Sequence, residues 1–144
     1  MATLQLEVIT AEREVLKEEV EIVVAPGREG ELGILPHHTP LLAQLQPGEI
    51  RLKNGDETHY FAVSGGFVEV EKEKVYIFAE TAEMAQEIDA ERARQAAERA
   101  KAALKAAKQD IEFSQAEASL RRALARLRVL EGLRRVPRSG PRRP

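Results

Sequence analysis

The chain has 144 residues, no cysteine and a formal net charge of −2. This length suffices for one moderate core, or for a small β domain with a helical appendage. The absence of cysteine excludes disulfides and thiolate metal ligands. Apolar runs such as residues 22–25 are too short to span a bilayer, and the N-terminus lacks the layout of a secretion signal. We therefore expect a cytoplasmic protein without direct membrane insertion.

The small net charge conceals an asymmetry along the chain. Residues 1–86 carry 7 lysines and arginines against 16 acidic residues, whereas residues 87–144 carry 15 against 8. A basic part of this kind is a candidate for nucleic-acid binding. Only one aromatic residue, Phe113, lies beyond residue 86, so the basic part has no platform on which bases could stack. The pattern favours an acidic protein partner over nucleic acid.

The acidic part is predicted to form short β-strands. Apolar or alternating runs occur at residues 4–10, 20–24, 60–63, 67–70 and 75–79. Asn54-Gly55 predicts a hairpin at residues 50–56, because glycine supplies the positive φ of a tight turn. The charged residues 71–74 predict another turn. Short strands at this spacing, with no helical pattern between them, predict an antiparallel β-sandwich or a flattened barrel.

A glycine pair, Gly65-Gly66, separates two of these runs. A phosphate-binding loop would be followed by a helix and would contain a Lys-Ser or Lys-Thr pair, and the sequence provides neither. The pair is therefore predicted to be a bend between strands.

The pattern changes to helix beyond Ala85. Nine alanines lie among charged residues from Ala90 to Ala107, a composition typical of a strong helix former, and Asp89 is a candidate N-cap. Ser114 and Glu117 have capping-box spacing and predict a second helix to about residue 130. The two helices can fold back as a hairpin. The apolar face of the first helix consists mainly of alanines, and the second helix carries a leucine stripe at Leu120, Leu124, Leu127 and Leu130.

Buried alanines contribute little to the stability of such a hairpin, since each methyl group is worth only about 0.8 kcal/mol. The hairpin is therefore expected to be marginal, and two arrangements of similar free energy allow a conformational switch. A static hairpin is the alternative, because alanine-rich helices also occur in rigid proteins.

The run from Gly30 to Leu41, Gly-Glu-Leu-Gly-Ile-Leu-Pro-His-His-Thr-Pro-Leu, is the densest motif. Its glycines permit unusual backbone angles and its prolines fix φ, so the spacing alone predicts an ordered turn or strand edge. The run closely resembles the signature of the epsilon subunit of F-type ATP synthases. Residues 62–70 and 79–83 resemble the same family.

This resemblance implies a fold and a set of partners. The β-sandwich is expected to dock on the gamma subunit and on the ring of c subunits, with Glu31 and His38 at the ring. The helical part is expected to inhibit ATP hydrolysis when it extends, placing Arg122 and Arg126 against an acidic loop of the beta subunit. The protein would then lie at the cytoplasmic side of the cell membrane as a peripheral subunit.

A second resemblance implies a regulatory ligand. Residues 88–93, Ile-Asp-Ala-Glu-Arg-Ala, are similar to the I/L-D-x-x-R-A motif with which bacterial epsilon subunits of this family bind ATP. Helical spacing places Arg92 on one face with Arg99, and Arg122 beside Arg126, so an antiparallel hairpin could bring all four together. Taken singly, each residue is more typical of an ordinary helix surface: Asp89 as a cap, Arg92 and Arg99 as partners of acids such as Glu98, and Arg122 and Arg126 as a solvated face. The resemblance implies the following ATP contacts: Glu83, Asp89, Arg92, Arg99, Arg122 and Arg126.

The sequence offers no catalytic apparatus. His37, His38 and His59 lack the spacing of a helical histidine pair, so no metal site is expected. No nucleophile stands in a recognisable pattern with a base. We expect a non-catalytic subunit of the rotary complex, and the alternative is a stand-alone nucleotide-sensing module outside such a complex.

The predicted organisation is α+β. Residues 1–86 form an N-terminal antiparallel β-sandwich that docks on the rotor, residues 87–135 form a regulatory two-helix hairpin, and residues 136–144 form a disordered basic tail.

Overall fold

Ten β-strands build the N-terminal part of the chain. The computed structural model describes residues 2–135, so the predicted tail at residues 136–144 lies outside it. The strands are β1 (Leu4–Ile9), β2 (Glu14–Val20), β3 (Ile22–Gly27), β4 (Gly30–Ile34), β5 (Leu41–Leu45), β6 (Gly48–Asn54), β7 (Glu57–Val63), β8 (Gly66–Glu71), β9 (Lys74–Ala79) and β10 (Ala82–Met84).

The strands form two layers. One layer has the order β4-β3-β6-β7-β10 and the other has the order β5-β8-β9-β1-β2. A single bridge from Gly27 in β3 to Leu45 in β5 joins them. The predicted antiparallel pairing is confirmed except at β1 and β9, which run parallel. Parallel neighbours cannot be joined by a hairpin, and these two strands come from opposite ends of the sandwich sequence.

The core lies between the two layers. Leu4, Leu6 and Val8 of β1 are fully buried, and Ile50 and Leu52 reach the same core from β6 in the other layer. The predicted alternation is thus confirmed in β1, where the buried residues alternate with half-buried ones. Full burial of such a side chain contributes about 1.5–3 kcal/mol. The sandwich is held together by its own core.

Two glycine turns follow the sequence prediction. Gly55 has a φ of +65° in the hairpin between β6 and β7. Gly66 has a φ of +137°, and a Cβ atom there would lie 2.0 Å from the carbonyl oxygen of Phe78. Only glycine fits this position, where the chain passes from β7 in one layer to β8 in the other. The glycine pair is therefore a bend between strands, as predicted.

Two helices follow the sandwich after a short 3-10 turn at Ala85–Glu87. They are α1 (Ala90–Ala106) and α2 (Asp110–Arg135). The predicted cap at Asp89 is confirmed, since its carboxylate accepts a hydrogen bond from the backbone N–H of Arg92 at 3.1 Å. The predicted start of the second helix at Ser114 is wrong. The Glu112 carboxylate accepts from the backbone N–H groups of Lys108 and Gln109, at 3.0 and 3.3 Å, and allows α2 to begin at Asp110.

Helix α2 lies between the sandwich and helix α1. Ala125 and Val129 of α2 pack on Tyr60 and Ala62 of β7 in a second apolar cluster. Gly132 continues this contact, because a Cβ atom there would lie 2.8 Å from the Tyr60 ring. Helix α1 packs on the other side of α2. Helix α2, the last element in the sequence, therefore attaches the hairpin to the sheet.

The buried face of α2 differs from the predicted leucine stripe. Leu124 is 39% exposed, whereas the buried residues of α2 are Ala116, Ala123, Ala125, Val129 and Gly132. Helix α1 buries Ala93, Ala97 and Ala100, in agreement with its predicted alanine face. Small residues let the helix backbones approach closely, while leucines at the contact would hold them apart. Of the four leucines of the predicted stripe, Leu124 is exposed and Leu120, Leu127 and Leu130 are half-buried.

Candidate functional site

Two adjoining cavities lie along the hairpin. The first, of about 540 Å³, is bordered by the end of β10, the 3-10 turn and helix α1. The second, of about 660 Å³, lies between α1 and α2 and is lined largely by alanines. Ala96, Arg99 and Arg126 line both cavities. The two cavities therefore adjoin, and we call them together the interhelical groove.

One end of the groove is acidic. Glu83 of β10, Glu87 of the 3-10 turn and Asp89 at the start of α1 line it. Glu87 is held in place twice, because its Oε1 accepts from the backbone N–H of Met84 at 2.7 Å and its Oε2 lies 3.5 Å from Nη2 of Arg13. This end presents carboxylate oxygens, which accept hydrogen bonds.

The middle of the groove is basic, because two helices deliver arginines to it. Arg99 comes from α1, and Arg122 and Arg126 come from α2. Nε of Arg126 donates to Oε1 of Glu83 at 2.5 Å. Nη2 of Arg122 donates to the hydroxyl of Ser119 at 3.0 Å.

The guanidinium groups of Arg92 and Arg99 have no acidic partner within residues 2–132. The acids nearest to them on α1 are engaged elsewhere, since Glu91 pairs with Arg94 at 3.1 Å and Glu98 pairs with Lys101 at 3.6 Å. Four carboxylates and four arginines line the groove, so its charge sums to zero. The guanidinium groups of Arg92 and Arg99, which have no ion-pair partner in this range, are the ones that suit an anion.

The structure brings the six residues of the sequence prediction to this groove. Five of them line the first cavity, and Arg122 lines the second. Sequence reasoning missed the other polar residues that line the groove: Glu87, Gln95, Glu112, Gln115 and Ser119. Ser119 could have been found from its spacing, because it lies three residues before Arg122 on the same helix. Glu87 has one local partner, the backbone N–H of Met84 three residues before it, but its ion-pair partner Arg13 is distant in the sequence.

The arrangement suits an elongated ligand with two chemically different ends. Acidic acceptors at one end match hydrogen-bond donors such as an amino group or hydroxyls. Arginines in the middle match a chain of phosphate or carboxylate groups, to which they can bind in a bidentate manner.

The signature loop forms a separate surface. Glu31 lies on β4 next to the turn from β3, and its carboxylate is 3.3 Å from Nη2 of Arg51. His38 lies beyond the other end of β4, where its N–H donates to the carbonyl oxygen of Leu35 at 3.2 Å. The strand alone separates them by about 10 Å. The structure thus does not bring these two predicted rotor contacts together.

Residues 2–135 contain no group of three or more histidine, cysteine or acidic side chains placed to hold a metal ion. None of the helices described is both long and apolar enough to cross a membrane.

A β-sandwich followed by a helical hairpin is the architecture of one class of ATP synthase chains. The family model for the β-sandwich domain of the ATP synthase delta/epsilon chain matches residues 3–85. The model for the long α-helix domain of the same chain matches residues 86–131. The chain belongs to the ATP synthase delta/epsilon chain family.

Curated relatives narrow this membership to epsilon chains. The chain is 50% identical over 138 residues to the ATP synthase epsilon chain of Dehalococcoides mccartyi strain BAV1, covering 95% of this chain and 99% of that one. It is 61% identical over 127 residues to the ATP synthase epsilon chain of Nitratidesulfovibrio vulgaris strain Miyazaki F, covering 88% and 95%.

Solved structures show the same fold in assembled complexes. One chain in the Euglena gracilis mitochondrial ATP synthase, solved as OSCP/F1/c-ring, matches with a TM-score of 0.77 and 27% identity, covering 92% of this chain and 82% of that one. A chain in the central stalk and c-ring of the Tetrahymena thermophila enzyme shares the fold at a TM-score of 0.63 and 17% identity, covering 88% and 96%.

Proposed function

We propose that the chain is a non-catalytic coupling and regulatory subunit in the central stalk of a proton-translocating ATP synthase, peripheral at the cytoplasmic side of the membrane. Its relatives are epsilon chains over nearly their whole length. Residues 1–86 would form the domain that docks on the gamma subunit and the ring of c subunits, and residues 87–135 would form the regulatory hairpin.

The interhelical groove would bind ATP. One observation carries this proposal: arginines from both helices, including the unpaired Arg99, meet acidic residues from β10 and the 3-10 turn in a single groove. The triphosphate would lie on the arginines, and the donor groups of the nucleoside would face Glu83 and Asp89. No magnesium ligand from the protein is required for this arrangement.

ATP binding would favour the folded hairpin. The ligand contacts residues on both helices and on β10, so it binds fully only when these elements are together. Contact between the helices relies on alanines, whose methyl groups contribute about 0.8 kcal/mol each. A ligand at a hundred times its Kd adds about 2.7 kcal/mol. This is large enough to decide between two arrangements of a marginal hairpin.

The extended hairpin would inhibit ATP hydrolysis. Arg122 and Arg126 would then meet the acidic loop of the beta subunit, which lies in the catalytic head. In the folded state both arginines are occupied, one by Ser119 and the other by Glu83. The same two residues cannot serve both states at once, so nucleotide binding and inhibition exclude each other.

Calorimetric titration of the isolated protein with ATP tests whether the groove binds this nucleotide. Wild type should release heat and melt at a higher temperature with ATP, whereas Arg92→Ala should bind weakly. Arg94→Ala is the matched control, because Arg94 is on the same helix, is paired with Glu91 and lines neither cavity of the groove. Equal and negligible heats for wild type and Arg92→Ala would remove nucleotide binding from the proposal.

A further inference from the structure

We propose that Ser119 is a positioning residue of the nucleotide groove, whose hydroxyl holds the Arg122 guanidinium towards the phosphate chain. This inference rests on the proposed binding of ATP. It concerns a side chain with no charge and no place in the motif at residues 88–93.

The geometry points to the Ser119 hydroxyl as the group that holds the Arg122 guanidinium in place. Nη2 of Arg122 donates to Oγ of Ser119 at 3.0 Å, and both residues are half-buried. Both line the same cavity, together with Arg99 and Arg126. The serine therefore fixes an arginine at the place where arginines from the two helices converge.

Arg122 has no other means of being held among the residues that the structure describes. Arg126 is fixed by Glu83, and Arg121 by Gln46 at 2.8 Å, whereas Arg122 forms no ion pair in residues 2–132. A free arginine side chain has many rotamers and turns towards water. Ordering such a side chain upon binding reduces the affinity, so an arginine that is already ordered binds an anion more tightly.

A hydroxyl has a specific advantage over a carboxylate at this position. A carboxylate would hold Arg122 more firmly, but it would cancel the positive charge and repel the phosphates. The serine oxygen accepts the hydrogen bond without cancelling the charge.

Calorimetric titration of the full chain with ATP tests the role. Ser119→Ala should raise the Kd about three- to tenfold, the effect of ordering one long side chain upon binding. Ser119→Thr should stay near wild type, because it keeps the hydroxyl. Ser114→Ala is the control, since Ser114 is an exposed serine of the same helix and does not line the groove. The melting temperature without ATP should not fall in Ser119→Ala, because alanine is the better helix former.

A double-mutant cycle separates positioning from a general effect on the helix. In an Arg122→Ala background, Ser119→Ala should change the Kd by less than twofold, because no guanidinium remains to be held. An unchanged Kd in the Ser119→Ala single variant would overturn the inference while leaving ATP binding intact. An equal loss with and without Arg122 would also overturn it. Absence of ATP binding in the wild type would instead remove the proposed function, and this inference with it.

Discussion

Arg126 and Glu83, 43 residues apart in the sequence, form the ion pair that joins helix α2 to strand β10. Both side chains are about one-third exposed, at 32% and 33%. The pair closes the groove at the junction of its acidic and basic parts. The same pair therefore attaches helix α2 to the sandwich and partly neutralises the charge of Arg126 in the groove.

Replacing Arg126 by methionine should loosen this junction. The change keeps an apolar stem but leaves Glu83 half-buried without its cation, which should cost about 1–2 kcal/mol of docking free energy after allowance for partial exposure. Hydrogen exchange of the α2 amides should become faster, and ATP should bind more weakly. Arg128→Met is the control, since Arg128 is exposed and faces a different cavity. Equal exchange in the two variants would show that the pair does not hold the helix.

Adding one methyl group at Gly132 should undock helix α2. The new Cβ atom would lie 2.8 Å from the Tyr60 ring, and overpacking of this kind costs about 1–3 kcal/mol. Alanine also favours helix by about 1 kcal/mol over glycine, but it does so in the docked and the extended states alike. The population of the extended state should therefore rise, and because that state is the inhibitory one, the assembled enzyme should hydrolyse ATP more slowly.

Gly33→Ala provides the control for this change, because no atom lies within 4 Å of a Cβ placed there. Amide exchange in α2 should accelerate in Gly132→Ala and remain at the wild-type rate in Gly33→Ala. Protection of α2 that is equal in both would mean that Tyr60 can move aside at little cost.

Truncation after Glu87 should leave an assembled enzyme that has lost its inhibition. The sandwich core is built by strand residues alone, while helix α2 packs outside that core on β6 and β7, with the separate apolar cluster around Tyr60 and Ala62. The remaining domain should fold and dock. ATPase rates at low ATP, compared with the full-length complex at equal subunit content, should rise. An unchanged rate in a fully assembled complex would argue against the inhibitory role.

His38→Asp should weaken the coupling of rotation to proton flow. The change adds negative charge to an exposed loop and cuts no core contact, so the sandwich should remain folded. Proton pumping by the assembled complex measures the effect. Gln109→Glu is the charge-matched control at the hairpin tip. Normal pumping in His38→Asp would remove His38 from the rotor interface, and it would leave Glu31, at the other end of β4, to be tested by itself.

Local features of the fold were predictable from sequence because neighbouring residues determine them. Alternation in β1, the turn at Gly55 and the cap at Asp89 depend on backbone angles and on contacts a few residues apart. The second helix start was missed for a related reason. Two possible capping arrangements lie close together in the sequence. The Glu112 carboxylate accepts hydrogen bonds from the backbone N–H groups of Lys108 and Gln109, so the helix begins before Ser114.

The sequence by itself determined the presence of the β-sandwich and of two helices, the family, and six of the charged residues at the groove, but it did not predict the strands β2, β5 and β10. Tertiary structure alone decided which face of α2 is buried, since alanines permit a close approach that leucines prevent. It also decided how the arginines are held, because the partner of Arg126 is a strand residue distant in the sequence. A helical pattern gives the direction of a side chain, but what that side chain contacts depends on how the elements pack.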